Sequence, residues 1–558
     1  MLEQNSSLAL GSPRFADPSL ARLASEHNVL AAWGAAFLSL ATNAANDVSG
    51  DFAVGLMATD GSTFLAVDRF AICSLCYRLR DGQLHFAARA DELADTTTEI
   101  DPQAIYDYLY FHVIPSPRTI YKDIYRLPPA HYALFQQGQL TVAPYWVPSF
   151  NEQSGASFDE LKDEFRQLLQ SAVATQIGGS KPACFLSGGT DSSTVAGMAA
   201  LASGEKVATY SIGFDAQGYD EMAYARLASK HFKTEHHEYY VTPDDLVRSI
   251  PSVAAHYDQP FGNSSALPAY YCAKMAREDG VSKLLAGDGG DELFGGNTRY
   301  AKQMVFGWYG GIPAALRDSL LEPLSKLPLV SKIPLVRKAA SYVNQAKVPM
   351  PDRLMTYNLL HRLGVENMLT PELLAQVDQQ SPTHQQRGVW ATGSHTDSLV
   401  NRMLAFDWRY TLADCDLPKV VGTTALAGVK VGFPMLDDRL LSFSLKLPAA
   451  YKLKGFQLRW FFKEALRGFL PDEIINKKKQ GFGLPFGTWA NRHPALKTLA
   501  TDSLYSLSLR GVVRPDFVQD LLTQRLPEHP GYYGEMVWVL MMLEQWLAAK
   551  APRFSLIR

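Results

Sequence analysis

The stretch Ala183-Cys184-Phe185-Leu186-Ser187-Gly188-Gly189-Thr190-Asp191-Ser192-Ser193 decides how the chain is read. Its first four residues are an apolar run of strand length, and a helical apolar pattern follows through Leu201. Between them lies a Ser/Gly turn. Two glycines let the backbone take unusual dihedrals and approach a ligand closely. The N–H groups that open the helix point at whatever occupies the turn, and phosphate suits them. Ser187, Ser192 and Ser193 add hydroxyl donors, while Asp191 offers a hard oxygen for Mg2+. This is not a Walker loop, because GxxxxGK followed by Ser or Thr occurs nowhere in the chain.

The same pattern recurs downstream. Val207–Ile212 reads as a strand, with a helix after it around Asp220–His231. A further apolar segment, Ser282–Ala286, ends in Gly287-Asp288-Gly289-Gly290-Asp291-Glu292, followed by Phe294-Gly295-Gly296. Three carboxylates within five residues repel one another unless a cation sits among them. Strand, glycine turn, helix, repeated, predicts a parallel α/β sheet with ligands at the strand C-terminal ends. From about residue 310 onward the pattern is mainly helical. It closes on an apolar helix around Tyr532–Ala549, whose Trp538, Met541, Met542 and Trp546 suit a core better than a partner interface.

Upstream, residues 1–150 read as mostly β, with short segments at Asp51–Thr59, Thr63–Asp68 and Leu84–Ala88 between Gly, Asp and Asn turns. The polar connector 151–160 leads into an amphipathic stretch, Leu161–Gln176. Two domains are therefore predicted, 1–150 and 155–558, as a chain of 558 residues requires.

A net charge of −3 gives no sign of nucleic-acid binding, and Lys477-Lys478-Lys479 is the one short basic run. Five scattered cysteines argue against a disulfide framework. Cys73-x-x-Cys76 lacks the two further ligands a zinc site needs and reads as two packed thiols. No signal peptide and no membrane span are visible, so the expected compartment is the cytoplasm.

SGGxDSS after a strand is the pyrophosphate-loop signature of enzymes that cleave ATP between its α and β phosphates. Residues 155–495 resemble the synthetase domain of class-B asparagine synthetases, with relatives among β-lactam synthetases and lasso-peptide cyclases. The likeness runs through Phe185–Ser193, Tyr219-Asp220-Glu221, Tyr224-Ala225, His236-His237 and Asp258-Gln259-Pro260. It continues through Gly287–Gly296, Pro434-Met435-Leu436-Asp437, Lys479-Gln480-Gly481-Phe482-Gly483 and Trp489.

The implied fold is a parallel-sheet pyrophosphate-loop ATPase domain (adenine nucleotide α-hydrolase-like) with a helical C-terminal part. A truncated N-terminal-nucleophile-like domain precedes it. The implied cofactors are ATP and Mg2+. Ser187, Gly188, Gly189, Asp191, Ser192 and Ser193 would hold the pyrophosphate, and Asp191 and Asp291 the metal. Backbone near Leu186, Ile212, Gly287 and Gly289 would hold the nucleoside. Lys479 would stabilise charge on the phosphate, a form of electrostatic catalysis. Asp288 lies where β-lactam synthetases place a catalytic tyrosine, which makes it the first candidate base, with Glu292, Asp414 and Asp416 behind it.

The chain departs from that family in two places. Glutamine-dependent members expose a cysteine after Met1, whereas residue 2 here is Leu2, and the Arg-Gly-Pro and Asn-Gly-Glu segments are missing. Only Gly50-Asp51-Phe52-Ala53 and Asp68-Arg69-Phe70 remain of that pocket, so residues 1–150 read as a scaffold without glutaminase activity. Second, counting back from Pro434, the family's Asp-Arg and Glu-x-Arg charges fall on Val421, Gly422, Lys430 and Gly432. In the family this region faces the acyl substrate, so these changes point away from free aspartate.

The expected reaction is adenylation of a small-molecule or peptide carboxylate, then transfer to ammonia or an amine. Ammonia-dependent asparagine synthesis and ring-closing macrolactam formation are the alternatives. A separate ammonia-supplying or substrate-carrier protein and a homodimer are the partners left open.

Overall fold

The apolar segments assemble into sheets in a computed structural model, which describes residues 7–152, 155–310, 342–478 and 483–557. In the N-terminal domain β1 (Leu8–Gly11), β2 (Phe52–Met57), β3 (Thr63–Val67), β4 (His131–Gln136) and β5 (Gln139–Pro144) lie side by side in that order, every neighbour antiparallel. β3 is buried along its whole length, which is why it reads as a continuous apolar run rather than an alternating one.

The domain is less purely β than its sequence suggests. Helices form at Pro18–Glu26, Val29–Leu40 and Pro102–Phe111. Asp17, Asn28 and Asp101 cap them by accepting first-turn N–H bonds, and proline opens the first and third. Cys73 and Cys76 are both free thiols. Burial lifts both, Cys76 to about 12.

In the C-terminal domain the helix Phe158–Ile177 starts on a reciprocal cap: the Glu160 N–H donates to Ser157 Oγ, and the Ser157 N–H to Glu160 Oε2. It leads into β6 (Ala183–Phe185), then β7 (Ala208–Phe214), β8 (Glu235–Val241), β9 (Lys283–Leu285) and β10 (Lys430–Gly432). All pairings are parallel and the order is β8-β7-β6-β9-β10. The chain winds outward from β6 through β7 and β8, then crosses to place β9 on the other side of β6. Between β6 and β9 the winding reverses, and such a switch point opens a crevice at the strand C-terminal ends. Both glycine turns singled out above leave these two strands.

The tail helix Pro530–Lys550 is core: Trp538, Met541, Met542 and Trp546 are each at most 1% exposed, so they present no partner surface. Trp546 Nε1 donates to the Tyr257 carbonyl at 3.0 Å. The two domains meet over a continuous seam. Tyr108 donates its hydroxyl to the Val539 carbonyl at 2.8 Å, while Arg126–Asp258 and Arg69–Asp438 pair at 2.7 and 2.6 Å. Among the described residues no helix is long and apolar enough to cross a membrane.

One buried charge has a measurable consequence. Lys452 is fully buried, donates to Asn401 Oδ1 at 2.9 Å and lies 4.8 Å from the Phe150 ring centroid. Burial pulls its ammonium down to about 7, against a weaker pull from Glu152. Between that value and the unfolded one the unfolded chain binds more protons, so this group's contribution to stability rises with pH. Lys452→Met is expected to raise the melting temperature by about 2–4 °C at pH 6 and by less at pH 9 in calorimetry. An equal shift at both pH values would contradict that account.

Candidate active site

Hydrogen bonds to the neighbouring strand and within the turn shape the first turn. The Leu186 N–H donates to the Tyr210 carbonyl at 2.9 Å, and the Ser211 hydroxyl donates to the Leu186 carbonyl. Gly188 has φ +69°, and a Cβ there would lie 2.4 Å from the Ala225 nitrogen, so only glycine fits. Ser187 Oγ and Ser192 Oγ are 3.0 Å apart, and Ser192 Oγ also accepts from the Ser187 N–H at 3.1 Å. The helix Thr190–Ser203 then begins at Gly189 with no side-chain cap. A helix start with no side-chain cap suits an anion.

The second turn touches the first. A Cβ on Gly287 would stand 2.7 Å from the Ser192 nitrogen. Asp191 and Asp291, separated by a hundred residues in sequence, converge on one side chain. Arg459 Nη1 reaches Asp191 Oδ1 at 2.6 Å and Asp291 Oδ1 at 2.8 Å, and its Nη2 donates to Thr190 Oγ1 at 3.0 Å. Arg459 is 7% exposed and has φ +54°. Burial works against its charge, but Asp191 and Asp291 outweigh it and raise its pKa.

A divalent cation fits these carboxylates, because both already bring an oxygen to one nitrogen atom. Among the described residues no cluster of three or more His, Cys, Asp or Glu could hold a metal alone. Two carboxylates completed by phosphate oxygens and water are what Mg2+ commonly takes.

Around these turns lies a cavity of 390 Å³. Its lining includes Tyr210, Pro268, Ala269 and Cys272, with Leu186, Ile212 and Gly287. Ser187, Gly189, Asp191, Ser192, Gly289 and Asp291 also line it. Asp288, Asp416 and Lys419 also belong to the lining and cluster together. Lys419 Nζ is 3.0 Å from Asp416 Oδ1 and 3.5 Å from Asp288 Oδ1. Burial raises the Asp288 pKa and Asp416 adds to it, while Lys419 opposes. Burial also disfavours the Lys419 ammonium, yet its two carboxylate neighbours prevail and raise its pKa.

Some sequence-based expectations need correction. The Ser193 hydroxyl is fully buried beneath the turn, because the helix rotates it into the core. Gly188 is pressed against the helix Met222–Phe232, and neither residue is part of the cavity lining. Of the candidate bases, Glu292 and Asp416 line the cavity, but Asp414 does not; it is bound by Ser116. Lys479 lies outside the described residues. Its neighbour Lys477 sits at the first turn, paired with Glu221 at 2.8 Å and 4.4 Å from the Tyr224 ring centroid.

The four substituted positions also fall elsewhere. Gly422 packs so tightly on Tyr257 that a Cβ would come within 2.4 Å of its ring, Lys430 is exposed on β10, and Gly432 abuts Gln176. With Val421, none of them lines the cavity; the helix Leu417–Ala427 presents Lys419 and Val420 instead.

The family profile described as Asparagine synthase matches residues 164–548. The chain belongs to the asparagine synthase family. A second profile, Glutamine amidotransferase domain, matches residues 24–146, so this family member carries an amidotransferase-type domain at its N-terminal side. Asparagine synthetase (glutamine-hydrolyzing) 1 of Bacillus subtilis (strain 168) is 24% identical over 485 residues, 86% of this chain and 74% of that protein. Putative asparagine synthetase (glutamine-hydrolyzing) 2 of Methanocaldococcus jannaschii is 32% identical over 269 residues, 46% of this chain and 51% of that protein. Amidase chyE of Penicillium rubens is 23% identical over 529 residues, 81% of this chain and 72% of that protein.

Membership of this family, with asparagine synthetases among the relatives, makes the chain an ATP-dependent amide ligase at the level of the family.

Proposed function

We propose that this family member adenylates a carboxylate with ATP, releasing pyrophosphate, and passes the acyl group to ammonia or an amine without a glutaminase of its own. The observation that carries this reading is the convergence of Asp191 and Asp291 at the switch point, beside a helix start left uncapped.

The groups that line the cavity have separate roles on this reading. Leu186, Ile212 and Gly287 hold the nucleoside, in a pyrophosphate-loop ATPase fold. Ser187, Gly189, Ser192 and the open helix start hold the pyrophosphate end. Asp191 and Asp291 would hold Mg2+, which when bound neutralises the departing pyrophosphate. Arg459 keeps those two carboxylates together. Lys419, an ammonium at any working pH, steadies negative charge on the acyl group, and Asp288 takes the proton from the attacking amine. Lys479 keeps the charge-stabilising role that the family resemblance implies. The described N-terminal domain supports the absence of glutaminase activity, since burial keeps both of its cysteines as neutral thiols. Five free cysteines suit a reducing cytoplasm.

Free aspartate with ammonia is favoured more than the sequence suggests. Val421, Gly422, Lys430 and Gly432 stand off the cavity, so their lost charges weigh little against it. The test is to supply Mg·ATP with a panel of carboxylates, with and without ammonium, and to analyse the nucleotide product. AMP is expected with one carboxylate; ADP, or no turnover with any, would overturn the proposal.

Asp288 supplies a sharper prediction. It accepts a proton only when ionised, and burial with Asp416 beside it holds its proton to higher pH than an ordinary carboxyl. The amide-forming step should therefore rise with pH through a midpoint above the usual carboxylate range. Asp288→Asn should flatten that limb and slow amide formation by about 10²-fold, with adenylate formation little changed. A limb that persists in the variant would remove Asp288 from this role.

A further inference from the structure

The helix Leu399–Asp407 runs into a π-helix, Trp408–Asp416, before the α-helix Leu417–Ala427 resumes. Nine residues of π-helix are unusual, since this wider helix mostly occurs as a single turn and often at functional sites. Asp416, its last residue, and Lys419 just beyond are the groups that reach the cavity. Its own domain holds the π-helix through Trp408 Nε1, which donates to the Glu292 carbonyl at 2.9 Å, and through Arg299, which donates to Thr411 Oγ1 at 2.9 Å, and the other domain holds it as well.

Ser116 of the amidotransferase-type domain donates twice to Asp414 Oδ1, from its N–H at 3.2 Å and from its hydroxyl at 2.9 Å. Arg409, within the π-helix, donates to the Ser116 carbonyl and pairs with Asp414 Oδ2 at 3.4 Å. Phe111 of the same N-terminal segment stacks on Tyr410, with ring centroids 5.4 Å apart and planes 9° from parallel. Tyr410 and Asp414 are four residues apart, on neighbouring turns of the π-helix. The segment is gripped from its other side too. The Gly262 N–H donates to the His112 carbonyl at 2.8 Å and Gln259 Nε2 to the Ile114 carbonyl at 3.2 Å.

A short chain of contacts thus leads from Ser116 to Asp414, along two residues to Asp416, then to Lys419 at 3.0 Å and Asp288 at 3.5 Å. Ser187–Ser192 and Arg459, on the nucleotide side, are not links of that chain, which ends at Asp288, one residue from the Gly287 that packs against the Ser192 nitrogen.

We infer that the amidotransferase-type domain positions the acceptor end of the cavity, with Ser116 as a positioning residue that holds the π-helix and so fixes Asp416, Lys419 and Asp288 for attack by the amine. This rests on the proposed two-step reaction. It gives the N-terminal domain work that needs no glutaminase chemistry.

The test separates the two half-reactions in the full-length enzyme, using the carboxylate that supports AMP formation. ATP–pyrophosphate exchange reads adenylation, and hydroxamate formation with hydroxylamine as the amine probe reads transfer. Ser116→Ala should leave exchange within about twofold and lower kcat for hydroxamate formation about tenfold, the scale of one buried hydrogen bond to a charged group. Ser116→Thr, which keeps the hydroxyl, should restore transfer. Asp414→Asn, which weakens the link to Arg409, should repeat the selective loss.

Both half-reactions falling together, or neither changing while the melting temperature drops, would make Ser116 a purely structural residue and overturn the inference. Wild-type enzyme that shows no exchange with any carboxylate would instead overturn the two-step reading, and the inference with it.

Discussion

Asp191→Asn is expected to lower pyrophosphate release from Mg·ATP by at least about 10³-fold while the protein stays folded. The change is nearly isosteric, so packing beneath the turn is kept. What goes is the charge. Both Asp191 oxygens lie within 2.7 Å of Arg459 Nη1, and the carboxylate is one of two that would hold the metal. An amide offers one neutral oxygen to a metal that prefers charged ones. The loss should appear in kcat, because the metal's neutralisation of the departing pyrophosphate matters most in the transition state. Steady-state pyrophosphate release, with circular dichroism as the folding control, checks it. Activity within tenfold of wild type would remove Asp191 from the metal site.

Arg459→Met should produce the largest change in stability. Arg459 is the buried cation between Asp191 and Asp291. Removing one partner from a buried ionic cluster leaves uncompensated charge, typically about 3–5 kcal/mol. A fall in melting temperature of about 5–10 °C is expected in magnesium-free buffer. Millimolar MgCl2 should then recover part of the loss in the variant and do much less in wild type, since a cation bound only by the folded state stabilises it. If magnesium moves both proteins equally, Arg459 and the metal do not share these carboxylates.

How much of this was legible beforehand follows from the range of the signals. β6, β7 and β9 are short apolar runs, β6 and β9 end in glycine turns, and the two turns carry their serines and carboxylates within a few residues. Local pattern was enough to find them. Arg459 lies 268 residues from Asp191 in sequence, within Gln457-Leu458-Arg459-Trp460, where nothing local marks it. Its left-handed backbone turns it toward the site, and only the packed structure shows that. Lys419 was equally hidden, one charged residue on a mostly apolar helix. Counting back from Pro434 locates Val421, Gly422, Lys430 and Gly432 along the chain but not which way each faces, and none of them lines the cavity. The N-terminal helices did have a signal, Asp-Pro at 17–18 and at 101–102, which the β-rich segments around them overshadowed.

Isotope transfer tests most directly the proposed attack of a carboxylate on the α phosphate of ATP. The carboxylate that supports turnover would be labelled with 18O in its carboxyl group, and the AMP formed during amide synthesis analysed by mass spectrometry. One 18O atom should appear in the phosphate of AMP, left there when the acyl group departs to the amine. Label found in inorganic phosphate with ADP as the nucleotide product, or AMP free of label, would contradict the adenylate and with it the roles assigned to both glycine turns.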